Sequence, residues 1–287
     1  MLLYRVMARL SHVLGLWTIR VMGAFVSAGY FVLLTKRRAN SVAFYQALFP
    51  EQPKRRALVR TWRQYQDFAR VYSERLEIER RTDIRIERVG EEYLDEARQG
   101  GRGVIVVMSH FGRWEIGARL LARRCEGVTL VMGGQVDGGA RAGVDRDLRG
   151  VGVDVITVPE GRGHAFDILE ALNVLRKGGI VSLAADRVFG DARVLRMTFL
   201  GRTVGVAAAP FALAVSTGAP LVVVFSVRLG RRHYRLIDHP PLTLVAANRS
   251  ERQVAMERGA AVYLEQLHGM LKAHPEQWQT FERFFVD

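Results

Sequence analysis

The first fifty residues of this chain contain neither aspartate nor glutamate, and no proline before Pro50. One cysteine, Cys125, stands in 287 residues, which excludes a disulfide framework and a thiolate metal cluster. Cys125 follows a helix-like stretch ending in Arg123 and Arg124 and reads as a buried thiol, since no local motif makes it a nucleophile. No GxSxG elbow is present, which speaks against an α/β-hydrolase, and no GxxxxGK[ST] loop, which speaks against a P-loop nucleotide site. The seven histidines form no HExxH pair, and none are spaced as zinc ligands. There is no internal repeat and no low-complexity tract, while an apolar content of 49% excludes a disordered chain.

What is present is unevenly placed. The formal net charge is +13, and the acid-free N-terminus carries Arg5, Arg9, Arg20, Lys36, Arg37 and Arg38. Between them lies an apolar segment, Leu10–Leu34, broken by His12 and Arg20. Its uninterrupted part, Val21–Leu34, is too short for a helix crossing a ~30 Å hydrocarbon layer. Spanning would put Arg20 near the middle, at ~2.5–3.5 kcal/mol on insertion scales. A tilted or partly embedded helix with arginines among the lipid phosphates avoids that cost. A cleaved signal peptide fits less well, because the run is long and no small-x-small site leads into a mature domain. A second basic stretch contains Arg56, Arg60 and Arg63, which share one helical face. That face reads as a headgroup contact or as a solvated helix side.

The remaining pattern predicts an α/β fold with a mainly parallel central sheet flanked by helices, plus an N-terminal membrane-associated helix. Strands are expected at Ile84–Val89, Val104–Met108, Val128–Met132, Val153–Val158, Ile180–Ala184, Leu221–Val227 and Tyr234–Ile237. Helices are expected at Ala57–Arg80, Glu91–Gln99, Glu115–Arg124, Ala140–Arg149, Ala165–Arg176, Ala207–Ser216 and Arg252–Ala273. Glycine pairs around Gln135–Asp137, and Gly161-Arg162-Gly163, read as flexible surface loops.

The most informative stretch is Val104–Glu115, reading VIVVMSHFGRWE. An apolar strand ends in Ser109 and His110, and a helix begins near Glu115. In one continuous helix, residues five apart point about 140° away from each other. With His110 in the loop and Glu115 in the first turns, the chain can fold the two together. A carboxylate holding an imidazole in one tautomer is how a general base is built. On spacing alone, a core histidine followed by a surface glutamate fits equally well.

HFGRWE resembles the His-x4-Asp/Glu block of the glycerolipid acyltransferase superfamily, and more narrowly the bacterial lipid A biosynthesis lauroyl/myristoyl acyltransferase family. Further blocks follow in the same order. They are Leu148-Arg149-Gly150-Val151-Gly152, the glycine–strand–acid run Gly178–Asp186, Phe199-Leu200-Gly201, the Ala214–Arg228 stretch, and Pro275-Glu276-Gln277-Trp278. Two places depart from the family pattern: Arg187 follows Asp186 where glutamine is usual, and the closing segment continues as Gln279-Thr280-Phe281-Glu282-Arg283.

The resemblance implies acyl transfer from a thioester, carried by an acyl carrier protein or coenzyme A, to a hydroxyl of a glycolipid such as a lipid A precursor. A lysophospholipid, an aminoacyl lipid or a phosphatidylinositol glycoside is the alternative acceptor. It implies His110 as base and Glu115 as its orienting acid, with no cofactor and no metal. By family position, Arg149 faces an anionic substrate group and Asp186 orders the pocket floor, or the two form a structural pair. Arg113, within the motif, and Arg228, at the end of an apolar strand, are further substrate-contact candidates. Residues 1–38 are then expected as a membrane anchor and 39–287 as the catalytic domain, on the cytoplasmic side of the inner membrane. A nucleic-acid-binding protein, suggested by the charge, would leave the apolar N-terminus unexplained and show no aromatic-basic recognition motif.

Overall fold

The computed structural model describes residues 16–78, 84–133, 145, 148–158, 165–188 and 192–286. Most of the expected helix at 140–149, the glycine-rich loops at 134–139 and 161–163, and the first part of the N-terminal apolar segment lie outside these residues.

Three helices come first: α1 (Leu16–Leu33), α2 (Thr35–Leu48) and α3 (Lys54–Ile78). Then follow β1 (Arg85–Val89), α4 (Glu91–Gln99), β2 (Val104–Met108), α5 (Trp114–Arg124), β3 (Val128–Gly133) and β4 (Asp154–Val158). The chain continues with α6 (Ala165–Arg176), β5 (Ile180–Ala184), β6 (Val194–Phe199), β7 (Arg202–Ala207) and α7 (Ala209–Thr217). It closes with β8 (Leu221–Gly230), β9 (His233–Asp238), α8 (Glu251–Ala273) and a short 3₁₀ turn, Pro275–Gln277.

The expected strands form one seven-stranded sheet in the order β1-β9-β8-β2-β5-β3-β4. Strands β8, β2, β5, β3 and β4 run parallel, β9 turns back antiparallel on β8, and β1 pairs with β9. All the residues of β2 are buried, as a central parallel strand covered on both faces must be. Burial of each such side chain contributes on the order of 1.5–3 kcal/mol. Alternate residues of β2 face opposite layers. Ile105 and Val107 pack with Leu175 of α6, Phe211 of α7, and Tyr263 and Leu267 of α8. Val104, Val106 and Met108 pack with Leu94 of α4 and Ala118 of α5.

Two local expectations change. The Phe199-Leu200-Gly201 turn is the tip of a separate antiparallel hairpin, β6–β7, whose strands were not anticipated. Leu200 and Gly201 both have positive φ (53° and 72°), as a two-residue type I′ hairpin turn demands. The helix expected at Ala207–Ser216 starts only at Ala209, because Ala207 still belongs to β7 and its N–H donates to the Ala185 carbonyl (3.0 Å).

Between α1 and α2 the chain bends by 89° at Leu34, so residue 38 falls inside α2, whose Phe44, Tyr45 and Leu48 enter the main core. Among the described residues no single helix is long and apolar enough to cross a membrane; the bent pair passes only when taken together. Helix α1 lies on α3, and the fit is close. A Cβ on Gly23 would sit 3.2 Å from Ser73 Oγ and 3.6 Å from the Ala69 carbonyl. Its other side leaves Trp17, Val21, Phe25 and Leu33 exposed, and Leu58, Val59 and Trp62 of α3 are exposed as well.

Candidate active site

The loop after β2 carries Ser109 to Arg113, at the carboxyl end of the central strand, where open parallel sheets place their ligands. Asp186 lies just past the end of the adjacent strand β5, which brings it beside His110. Asp186 Oδ1 lies 2.9 Å from His110 Nδ1, and Oδ2 accepts the His110 backbone N–H at 2.8 Å. A third donor arrives from the far end of the chain: the Trp278 indole N–H reaches Asp186 Oδ2 at 2.8 Å. Asp186 is fully enclosed. Burial would raise its carboxyl, but His110, Arg187 and Trp278 outweigh that and hold it below the usual carboxylate range.

The loop is braced by the C-terminal segment. Gln279 N–H donates to the His110 carbonyl (2.8 Å), and Gly112 N–H donates to the Gln277 carbonyl (2.8 Å). The Gln279 side-chain amide bonds the Gly112 carbonyl, and the Arg187 guanidinium bonds the Gln279 carbonyl. Gly112 has φ +54°, and a Cβ there would fall 1.9 Å from the Ser226 carbonyl oxygen. Only glycine lets the chain pass so close to β8. Ser109 shares a 2.7 Å hydrogen bond with the buried Tyr263 hydroxyl of α8, pinning the loop from the other layer. With Nδ1 engaged by Asp186, Nε2 is the ring nitrogen left to take a proton from a substrate. The His110 side chain is 18% exposed, so a substrate can reach it. The Trp114 ring stands 6.1 Å from the imidazole, near edge-on.

The remaining site candidates are distributed differently from the sequence expectation. The carboxylate on the His110 ring is that of Asp186, not Glu115. Glu115 lies in the first turn of α5 with its carboxylate 3.9 Å from Arg113 Nε. The reason is the parallel pairing of β2 with β5, which carries Asp186 to the ring from another segment. Arg113 is 3% exposed, and its Nε and Nη1 make no hydrogen bond within the protein. Its charge is balanced by the Glu115 carboxylate at a distance too long for a hydrogen bond.

Arg149 and Asp186 are not a pair. Arg149 donates to Asp145, four residues earlier in the sequence (3.1 Å), and to the Val155 carbonyl (2.6 Å). Arg228 is held by buried Glu74 of α3 through Nε (2.9 Å) and through a close Nη2 contact, and Glu74 also accepts the Tyr234 hydroxyl at 2.8 Å. Trp278, Gln277 and Gln279 belong to the site as well, beyond the candidates that the sequence pattern marks. Their signal was the closing Pro275–Trp278 block itself, but the partners of that block are visible only in three dimensions. Cys125 is buried and free. Among the described residues no group of three or more His, Cys, Asp or Glu is placed to hold a metal ion.

A narrow apolar cleft opens beside this loop. It is lined by Val106, Met108, Ser109, Trp114, Gly117 and Val224, together with the charged Arg88, Glu91, Arg124 and Asp238. It occupies the space between the sheet and helices α4 and α5.

The histidine–carboxylate pair at the carboxyl ends of β2 and β5, the buried loop and the adjoining apolar cleft form one constellation. No match to the chain is found among curated proteins. The sequence model of the family described as bacterial lipid A biosynthesis acyltransferase matches residues 6–286. The match contains every block that shapes this site, so the chain belongs to the bacterial lipid A biosynthesis acyltransferase family and is an acyltransferase.

Proposed function

We propose that this chain moves a fatty acyl group from a thioester to a hydroxyl of a lipid A precursor, with His110 as general base. The observation that carries the mechanism is the His110 Nδ1–Asp186 Oδ1 contact of 2.9 Å, which leaves Nε2 for the acceptor hydroxyl. As the hydroxyl oxygen attacks the thioester carbonyl, its proton passes to Nε2 and Asp186 stabilises the imidazolium. Collapse of the tetrahedral adduct breaks the carbon–sulfur bond, and the same proton leaves with the thiolate. The thioester is already activated, so no acyl-enzyme is required. Backbone N–H groups at the start of α5, which begins four residues beyond His110, are the donors proposed for the oxyanion. The acyl chain lies in the apolar cleft beside Met108 and Trp114.

The proposed donor is an acyl carrier protein, whose acidic surface complements a chain of formal charge +13. The proposed setting is the cytoplasmic side of the inner membrane. There the exposed Trp17, Val21, Phe25 and Leu33 of α1, with Leu58 and Trp62 of α3, enter the interface without spanning it. Residues 1–38 supply most of that contact and residues 39–287 the catalytic unit.

The test is acyl transfer by the purified full chain in detergent, with acyl carrier protein and coenzyme A thioesters each offered a lipid A precursor or a lysophospholipid. Acylated lipid A precursor made by the wild-type protein, and lost in His110→Ala, is the expected result. Transfer to the lysophospholipid alone would assign a different acceptor.

A further inference from the structure

Three serines, Ser109, Ser182 and Ser226, interrupt the apolar lining of the cleft beside the His110 loop. Ser109 is already engaged, since its hydroxyl shares a hydrogen bond with that of Tyr263 (2.7 Å). Ser182 lies within β5, opposite Val106 of β2. The charged lining groups are largely occupied with one another: Arg88 donates to Glu91 (3.2 Å), and Arg124 is paired with Asp95. Ser226 differs from all of these. It is 4% exposed, and its hydroxyl has no hydrogen-bond partner among the described residues.

Strand alternation directs that hydroxyl into the cleft. Phe225 and Val227 of β8 enter the core layer shared with α7 and α8, whereas Val222 packs in the layer of α4 and α5. Ser226 falls on the same side as Val222 and Val224, as its place in the cleft lining requires. Its cross-strand neighbour on β9 is Leu236, which offers no polar side-chain atom.

Strand register sets its height. Val224 is the partner of Met108, the last residue of β2. Ser226 stands two residues further along, roughly 6–7 Å, past the end of β2. There the catalytic loop crosses β8: a Cβ on Gly112 would fall 1.9 Å from the Ser226 carbonyl oxygen. The hydroxyl therefore sits at the catalytic end of the cleft. A plain hydrocarbon chain covers it without pairing it, and a buried hydroxyl left unpaired is unfavourable. A chain with its own hydroxyl at that height can both donate to it and accept from it.

Resting on the placement of the acyl chain in this cleft proposed above, we infer that Ser226 selects donors whose acyl chain carries a hydroxyl on one of the first few carbons beyond the thioester carbonyl. Ser226 is then a specificity-determining residue, reading the chain rather than the carrier. A site built to pair a substrate hydroxyl discriminates against the analogue that lacks it, because its own polar group is then stranded.

Binding is measured by calorimetry on the full-length His110→Ala protein in non-ionic detergent, where turnover plays no part. The probes are unreactive amide analogues of dodecanoyl-, 3-hydroxydodecanoyl- and terminally hydroxylated dodecanoyl-pantetheine. The 3-hydroxy analogue should bind most tightly, and Ser226→Ala should cut its advantage over the plain chain about tenfold. Ser226→Thr, which keeps the hydroxyl, should retain that advantage, and the terminally hydroxylated chain should gain nothing from Ser226. In the chain carrying His110, the ratio of kcat/KM for 3-hydroxydodecanoyl and dodecanoyl thioesters on the same carrier should fall by a similar factor in Ser226→Ala. Equal binding of the plain and 3-hydroxy analogues, binding of neither, or a preference that survives Ser226→Ala would overturn the inference. So would equal losses for both analogues in Ser226→Ala, which would give Ser226 a structural role alone. A Ser226-dependent preference in a protein that transfers no acyl group would support the inference and count against the catalytic reading alone.

Discussion

Asp186 holds His110 twice, by its ring nitrogen and by its backbone N–H, and is itself held by the Trp278 indole. That arrangement engages Nδ1 and leaves Nε2 as the free ring nitrogen for the proposed base. Asp186→Asn removes the charge that stabilises the imidazolium and allows the other tautomer, so kcat should fall by about 10²–10⁴-fold. Glu115→Gln leaves the His110 partner in place and should lower activity instead through Arg113, its 3.9 Å neighbour. The discriminating readout is the pH profile of kcat, which should change shape in Asp186→Asn and keep its wild-type shape in Glu115→Gln. The reverse pattern would return Glu115 to the orienting role that the five-residue spacing suggested. Sequence spacing could bring His110 to a loop and Glu115 to a helix start, since both depend on local pattern. It could not show that Asp186, 76 positions later, arrives first. Strand pairing decided that.

Helix α3 joins the N-terminal layer to the sheet through a buried ion pair, Glu74 with Arg228. Removing one partner strands the other charge, so Arg228→Ala should lower unfolding free energy by about 3–5 kcal/mol, measured by denaturant titration in detergent. A change under about 1 kcal/mol would mean that the pair is solvated and carries little. On the same helix, burial raises the Asp67 carboxyl from 3.8 to about 6, against the opposing pull of Arg228 and Arg70. The fold therefore favours protonated Asp67. Its contribution is present below the unfolded value and is lost as pH rises through about 6, to a ceiling of about 3 kcal/mol. Asp67→Asn should leave stability at pH 4 nearly unchanged and raise it at pH 8, with the gap opening between those values. Equal effects at both pH values would contradict the burial argument.

At this scale much of the fold was legible. The strands of the main sheet were marked by short apolar, β-branched runs between helices, and β2 is the clearest case. The β6–β7 hairpin was hidden because Arg196, Thr198, Arg202 and Thr203 dilute its apolar alternation, leaving only its turn visible. The i, i+4, i+7 face of Arg56, Arg60 and Arg63 was also real as helix geometry. Arg60, however, pairs with Glu276 (3.0 Å) and stacks over Phe49 (4.3 Å to the ring centre), which ties α3 to the C-terminal turn.

Across the whole molecule, the proposed membrane setting rests on the formal charge of +13 and the exposed apolar stripe on α1. Replacing Trp17, Val21 and Phe25 with glutamine should move a large share of the protein from the membrane to the soluble fraction in low salt. Unchanged fractionation would contradict a docking role for that stripe. Charge steering predicts that kcat/KM for an acyl carrier protein thioester falls more steeply with salt than for a coenzyme A thioester, as the Debye length shrinks below ~8–10 Å. Parallel salt curves would assign the basic surface to the membrane alone. The central claim is that loop, strand end and C-terminal block converge to make one base of His110 and Asp186. Its most direct test is kcat for acyl transfer in His110→Ala, Asp186→Asn and the double variant, each checked for folding by circular dichroism. The account predicts about 10²–10⁴-fold loss in each single variant and a double variant no worse than the poorer single by more than a few-fold, because the pair acts as a unit. Wild-type kcat in folded His110→Ala, or losses that multiply in the double variant, would contradict it.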